Sequence, residues 1–159
     1  MKDSIVRIRK RGKSSILREL ADRIDCEASS DSSSPNIELV SEIHNGDELK
    51  TLTVYVEVII IVSHCCNESN VVGLDFSRFS NLREVRVGDD CFANMKNMSM
   101  IGLKKLENVE IGKNCCCKAS GGSFEVKECE RLKTVKIGDG CFVKVRVVVF
   151  MGGIMLVLL

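Results

Sequence analysis

The segment LREVRVGDDCF, from Leu82 to Phe92, is nearly repeated twice further along the chain. The copies are LENVEIGKNCC, from Leu106 to Cys116, and LKTVKIGDGCF, from Leu132 to Phe142. Their starting positions differ by 24 and then 26 residues, and they share the pattern L-x-x-V-x-[VI]-G-x-x-C-[FC]. Self-similarity at such a spacing is the sequence signature of a protein built from stacked repeats.

Each copy is preceded by a second shared segment with apolar residues at its first, third, sixth and ninth positions. These lead-in segments are LDFSRFSNL from Leu74, MSMIGLKKL from Met98 and FEVKECERL from Phe124. A weaker copy of the main pattern, VEVIIIVSHCC, begins at Val56, and the lead-in pattern returns at Val149, Met151, Ile154 and Val157. The repeating unit therefore has about 25 residues and two short strand-like pieces.

A unit of this size cannot bury its apolar face alone, whereas three or more stacked units bury a continuous core. Stacking brings equivalent positions of neighbouring coils about 4.8 Å apart as parallel strands. Three variable columns change charge sign from coil to coil: Glu57, Arg83, Glu107, Lys133; Ile60, Arg86, Glu110, Lys136; and Ser63, Asp89, Lys113, Asp139. Opposite charges stabilise such neighbours. The sequence thus predicts a mainly β solenoid of about four coils, each of 24–26 residues, with parallel strand ladders.

The chain divides into three regions by composition. Residues 1–36 form a basic and then Ser-rich leader, expected to be mostly mobile, in which Ile16, Leu17, Leu20 and Ile24 have the spacing of a short amphipathic helix. Residues 37–55 predict a hairpin that caps the N-terminal side, because Asn45-Gly46 is a favoured two-residue turn. Residues 56–159 form the solenoid.

The bulk composition favours a protein of a reducing compartment. Nine cysteines in 159 residues are an odd number with adjacent runs, unlike a secreted disulfide scaffold. The start MKDSIVRIRKRGK has no apolar signal-peptide core, so we expect a cytoplasmic protein. The net charge of +1 gives no global indication of nucleic-acid binding.

The repeats resemble the leucine-rich repeat superfamily, and within it the BspA-like type. That type has an Ile-Gly-x-x-Ala-Phe corner, which IGDGCF (Ile137 to Phe142) and VGDDCF (Val87 to Phe92) match with Cys in place of Ala. The segment CERLKTVKI from Cys129 matches the run that leads into such a corner. The resemblance covers about Val56 to Val157, although the units are long for this type and Cys116 replaces Phe. It implies a non-enzymatic scaffold that binds proteins through exposed strand residues, and BspA-like proteins are often found on microbial cell surfaces.

The glycines and cysteines of the repeat have structural interpretations. Gly88, Gly112 and Gly138 directly follow a strand and are expected to be corner residues with a backbone conformation closed to other residues. Cys65, Cys91, Cys115 and Cys141 form one column, and the resemblance places a small buried residue there. Buried free cysteine behaves as a small apolar group. Disulfides between neighbouring coils or a metal site are the alternatives, although no zinc-ligand spacing is present.

No catalytic motif stands out in the sequence. His64 lies next to Cys65, but adjacent residues of an extended strand point apart, whereas a thiol nucleophile needs its base opposite it. No paired carboxylates or phosphate-binding loop are evident, so we expect no enzyme activity and no cofactor.

The strand residues that alternate with the inward Val and Ile positions should face solvent. They are the candidate contacts for an unidentified protein partner: Glu84, Arg86, Asn108, Glu110, Thr134 and Lys136. The simpler alternative is that their charges only stabilise coil stacking.

Two other segments suggest different partners. Arg7, Arg9, Lys10, Arg11 and Lys13 could bind an anionic membrane or nucleic acid, but no aromatic residue is interleaved to stack on bases, so no specific nucleic acid is expected. Val147 to Leu159 is apolar yet shorter than the roughly 20 residues that span a bilayer. We expect this end to contact a membrane or to self-associate, as in a shortened member of a longer array.

Overall fold

The computed structural model describes residues 5–10, 36–118, 120–151 and 154–158. These residues form eleven strands and one short helix, α1 (Gly46–Lys50). The strands of one sheet, sheet A, are β1 (Ile5–Lys10), β2 (Asn36–Ile43), β3 (Val58–Ile61), β5 (Glu84–Val87), β7 (Asn108–Ile111) and β9 (Thr134–Ile137). The strands of sheet B are β4 (Gly73–Asp75), β6 (Asn97–Ile101), β8 (Ser123–Lys127), β10 (Arg146–Met151) and β11 (Ile154–Leu158).

The predicted solenoid of about four coils is confirmed. Each coil contributes one strand to each sheet, so that β3, β5, β7 and β9 are neighbours in sheet A and β4, β6, β8 and β10 are neighbours in sheet B. All these neighbours are parallel. Val85 is in register with Val109, and Val109 is in register with Val135, which is the spacing that the sequence repeats predict.

The core lies between the two sheets and is filled by the repeated apolar positions. From sheet A, Val85 and Val109 are fully buried, and the lead-in residues Phe76, Phe79 and Met100 are fully buried beneath sheet B. Completely burying a side chain of this size contributes roughly 1.5–3 kcal/mol. The core is therefore the main reason why the coils stack.

The corner glycines are required for a different reason from the predicted one. Gly88, Gly112 and Gly138 are absent from the residues with positive φ. Instead, a Cβ on Gly112 would lie 2.7 Å from the backbone carbon of Gly88, and a Cβ on Gly138 would lie 2.7 Å from that of Gly112. The expected special conformation was wrong: these positions need glycine because the backbones of successive coils approach too closely for any side chain.

Two columns of left-handed conformations occur two and four residues after the corner position, which is glycine in three coils and Val62 in the first. The first column contains His64, Asp90, Asn114 and Gly140, and the second contains Cys66, Phe92, Cys116 and Phe142. Short polar residues and glycine tolerate this conformation, whereas Phe in it costs roughly 1–2 kcal/mol. Phe92 is fully buried. Burial of its ring therefore offsets the backbone cost.

The N-terminal cap is a helix and not the predicted hairpin. Asn45 has an extended φ of −159°, and its side chain accepts hydrogen bonds from the backbone N–H groups of Asp47 (3.1 Å) and Glu48 (3.0 Å). The Glu48 carboxylate in turn accepts from the backbone N–H of His44 at 2.8 Å. Asparagine favours both hairpin turns and helix N-caps, and the acidic residues after it complete a helix start.

Part of the basic leader belongs to sheet A. Ile5–Lys10 forms strand β1, which is parallel to β2 with Ile8 in register with Leu39. The expectation of a mostly mobile leader is therefore wrong for these six residues. The amphipathic segment from Ile16 to Ile24 and the Ser-rich segment after it lie outside the described residues.

The C-terminal segment completes the fourth coil and then turns back. Val147 is in register with Phe124, whereas the sequence repeat aligned Val149 with Phe124, so the predicted register was wrong by two residues. Strand β11 then pairs antiparallel with β10 and covers the edge of sheet B. Val147 and Val149 are both buried in the core. The first part of the apolar tail is therefore a structural part of the coil.

The close approach at the corner can be tested with two glycine substitutions. We expect Gly112→Ala to destabilise the protein by about 2–3 kcal/mol, because its Cβ would overlap the backbone of the preceding coil. Gly102 is the matched control, with φ of +69° and no atom within 4 Å of an added Cβ. Gly102→Ala should cost only about 1 kcal/mol. Urea denaturation measures both, and equal costs would contradict the packing explanation.

Candidate protein-binding face

The six candidate contact residues lie in two columns on the outer face of sheet A. Glu84, Asn108 and Thr134 are in register in one column, and Arg86, Glu110 and Lys136 are in register in the other. The first column is half-buried and the second is exposed. Because the strands are parallel and in register, the second column presents charges of alternating sign to solvent at a regular spacing.

Two of the three predicted charge columns contain ion pairs between neighbouring coils. The Lys133 ammonium lies 2.7 Å from the Glu107 carboxylate, and this contact lowers the pKa of Glu107. In the outer column, Lys136 and Glu110 are separated by 3.9 Å. Exposed pairs of this kind contribute roughly 0.2–1 kcal/mol each. These ion pairs therefore contribute little to the free energy of coil stacking, and their charges remain available to a partner.

Arg86 and the third column depart from simple pairing between coils. Arg86 bonds within its own strand, with Nε 2.6 Å from the Glu84 carboxylate. In the third column the Asp89 carboxylate accepts from the backbone N–H of Lys113 at 2.7 Å, and the structure shows no ion pair of the Lys113 ammonium with another described residue. The acidic residue at this corner therefore satisfies a backbone donor of the next coil.

The four cysteines of the repeat column are free thiols that lie at equivalent corners of successive coils: Cys65, Cys91, Cys115 and Cys141. The thiols of Cys91, Cys115 and Cys141 each donate to a backbone carbonyl of the preceding coil, namely Val62 (3.1 Å), Gly88 (3.2 Å) and Gly112 (2.9 Å). The column thus combines the small apolar group that the sequence predicts with a weak hydrogen bond between coils. In the sequence, the only indication of this hydrogen bond is that Cys and not Ala occupies these positions.

The burial of the thiols keeps most of them protonated. Burial raises the pKa of Cys65 and Cys141, and it raises the pKa of Cys66 and of Cys116 to about 12. The side-chain contact between Cys91 and Cys115 raises the pKa of Cys115 and lowers that of Cys91. Cys91 is fully buried, so its sulfur is shielded from solvent despite this lowered pKa.

The structure also presents a polar face that the sequence analysis missed. On the outer side of sheet B, the Ser99 hydroxyl donates to the Asp75 carboxylate at 3.0 Å, and Lys127 pairs with Glu125 at 2.8 Å. Hydrogen bonds from Ser77 lower the pKa of Asp75, and the bond from Lys127 lowers that of Glu125. The alternation of polar and apolar residues in the lead-in segments could have identified this face.

A cleft of 360 Å³ lies between α1 and the first coil. Its lining includes Lys50, Asp75 and Arg78, and Arg78 donates to the backbone carbonyl of Leu49 at 2.9 Å. This bond fastens the helix to the coil. Among the described residues, no group of three or more His, Cys, Asp and Glu side chains could hold a metal ion.

These features define a parallel β-solenoid repeat protein with two polar outer faces. No protein-family model matches the chain, and no curated protein or solved structure is significantly similar to it. Within the part of the chain that the structure describes, no helix is long and apolar enough to cross a membrane.

The structural interpretation of the cysteines predicts tolerance of alanine. Cys115→Ala removes one sulfur and one weak hydrogen bond, so it should lower the free energy of unfolding by about 1 kcal/mol. The bulkier Cys115→Leu should cost about 1–3 kcal/mol, because the site is fully packed. Urea denaturation with and without a reductant and a chelator measures these effects. Stability that depends on oxidation or on a metal would contradict the free-thiol interpretation.

Proposed function

We propose that this protein is a non-enzymatic scaffold that recognises a protein partner through the outer face of sheet A. The observation that carries the proposal is the register of Arg86, Glu110 and Lys136 in one exposed column. Charges arranged at fixed spacing on a rigid sheet give electrostatic complementarity, which favours specificity.

The rigidity of the backbone supports this proposal. Every coil is tied to the next by ladder hydrogen bonds and by corner bonds, such as those from the Gly112 N–H to the Val87 carbonyl and from the Gly138 N–H to the Ile111 carbonyl, both 2.8 Å. A binding face on strands held in this way is already formed before a partner arrives. Less conformational entropy is then lost on binding.

The absence of activity is part of the proposal, and the surroundings of His64 and Cys65 support it. The Cys65 thiol donates to the Ser63 carbonyl at 3.5 Å, and burial raises its pKa, which disfavours the nucleophilic thiolate. The imidazole of His64 lies 3.5 Å from the carboxylate of Asp90. The Cys65 thiol and the His64 imidazole are therefore each engaged with a different group, Ser63 and Asp90 respectively.

We also propose that the coils are leucine-rich repeats of the BspA-like type. The support is the position of the motif in the fold: the Val87 and Ile137 of the two matching corners end strands β5 and β9, and the Phe residues of those corners are buried. The small residue of the motif, here Cys91 and Cys141, hydrogen-bonds to the preceding coil. The motif therefore specifies one corner of the solenoid.

Membrane association is the weaker alternative. This hypothesis requires the basic leader and the apolar C-terminal segment to bind the membrane together. Strand β1 lies at the N-terminal end of sheet A, whereas β10 and β11 lie at the C-terminal end of sheet B. A single membrane surface in contact with both would have to span the length of the stack.

A three-residue variant of the outer column tests the proposal. The variant Arg86→Ser, Glu110→Ser, Lys136→Ser should remain folded, with stability within about 1 kcal/mol of the wild type, because its side chains are exposed. The matched control carries Asp75→Ser, Glu125→Ser and Lys127→Ser on sheet B. Each protein serves as bait in cross-linking and quantitative mass spectrometry of a cell extract.

We expect at least one protein to be captured by the wild type and by the control, and to be lost with the outer-column variant. The same set of captured proteins with all three baits would contradict the proposal. Circular dichroism of the three baits ensures that a loss reflects the surface and not unfolding.

A further inference from the structure

Among the described strands, none pairs with the C-terminal edge of sheet A. Sheet A ends at β9, whereas the neighbouring edge of sheet B is extended by β11. In earlier coils, the residues equivalent to Val135 and Ile137 are buried, but these two side chains are only half-buried. Behind β9 lies a cavity of 370 Å³ lined by Ile137, Cys141, Phe142, Val145 and other residues of the last coil. The core is therefore open at this end.

The open edge closely matches an edge that is occupied elsewhere in the same molecule. Strand β5 and its flanks present Arg83, Val85, Arg86, Val87, Gly88 and Asp89 to β7, and β9 presents Lys133, Val135, Lys136, Ile137, Gly138 and Asp139 at the equivalent positions. All six positions agree in charge and in apolar character. Apart from Thr134 in place of Glu84, the surface of β5 that binds β7 is thus present a second time, without an occupant among the described strands.

The contacts between β7 and β5 show what such an edge binds. The Glu107 N–H donates to the Arg83 carbonyl at 2.8 Å, and the Gly112 N–H donates to the Val87 carbonyl at 2.8 Å. The Lys113 N–H donates to the Asp89 carboxylate at 2.7 Å. The equivalent acceptors on the open edge are the carbonyls of Lys133 and Ile137 and the carboxylate of Asp139.

The charges on the open edge select an acidic strand. In the occupied interfaces, Lys133 pairs with Glu107 and Lys136 lies opposite Glu110, so basic and acidic coils alternate along the stack. The last coil is basic at both positions. A strand that continues the alternation therefore carries acidic residues there.

A second copy of this chain does not satisfy that requirement. The other terminal strand of sheet A, β1, has the sequence IVRIRK, so a head-to-tail contact would bring basic residues onto basic residues. A symmetric antiparallel contact between two β9 strands, centred on Val135, would place each Lys136 opposite Thr134 and each Lys133 opposite Ile137, so neither lysine would meet a carboxylate. Like charges directly opposite each other are destabilising.

We propose that the edge of β9 is a docking site for an extended, acidic and apolar-alternating strand of another protein, which adds in parallel to sheet A. The strand would carry Glu or Asp opposite Lys133 and Lys136, β-branched residues opposite Val135 and Ile137, and glycine opposite Gly138. Strand addition of this kind takes affinity from main-chain hydrogen bonds and specificity from alternate side chains. This site shares Lys136 with the outer face of sheet A, but it consists of the edge of β9 and does not depend on the function proposed for that face.

Two peptides copied from this chain provide matched probes. The acidic peptide has the sequence of residues 106–114, LENVEIGKN, and the basic peptide that of residues 132–140, LKTVKIGDG. They share the apolar pattern and differ in charge. A third peptide replaces the glycine of the acidic peptide with N-methylglycine, which removes the one N–H that bonds to Val87 in the parent interface. Fluorescence anisotropy measures the binding of each labelled peptide to the full-length protein under reducing conditions.

The acidic peptide should bind at least about tenfold more tightly than the basic peptide and the N-methyl peptide. In the protein, Lys136→Glu should weaken binding of the acidic peptide and strengthen that of the basic one. If this variant fails to fold, the comparison of the three peptides on the wild type still decides the question. Equal binding of the peptides, or none, would overturn the proposal. A stable dimer in light scattering that the acidic peptide does not dissociate would also overturn it, because the occupant would then be a second copy.

Discussion

The close contact between the backbones of successive coils is the constraint on which the rest of the structure depends. At Gly112 and Gly138 the preceding coil lies where a side chain would begin, so the coils can approach only because these residues have none. This approach allows the corner N–H groups to bond to the coil before, as Gly112 does to Val87. The spacing of the coils then sets the register of both sheets. Buried core residues and exposed charges follow from that register.

The same contact explains the chemistry of the corner. A thiol is small enough to lie under the next coil, and it can donate to a carbonyl such as that of Gly88. Asp89 satisfies a backbone N–H of the following coil, a contact that a residue without an acceptor at this position would leave unmade. The corner cysteines and Asp89, which look reactive or variable in the sequence, therefore make defined structural contacts. The side chains of the outward columns make fewer such contacts, which is why we assign recognition to them.

The sequence predicts the repeating part of the fold well because a repeat supplies several copies of the same physical signal. The coils, the parallel ladders and the outward columns are all confirmed by the pairing of Val85 with Val109 and of Val109 with Val135. The two ends were predicted less well. Asn45-Gly46 fits both a turn and a helix start, and the helix is capped by the Asn45 side chain and by the reach of Glu48 back to His44. At the other end, alternating apolar residues match the repeat in more than one register, and the structure places Val147 opposite Phe124.

The most direct test of this account is the register between coils, measured by cross-strand nuclear Overhauser effects in isotope-labelled protein under reducing conditions. We predict contacts that join the backbone of Val85 to Val109 and of Val109 to Val135, in the pattern of parallel strands. We also expect slow amide exchange for Gly112, whose N–H is bonded to the preceding coil. Antiparallel contacts between these strands, or a register shifted by one residue, would contradict the stacked solenoid and the surfaces derived from it.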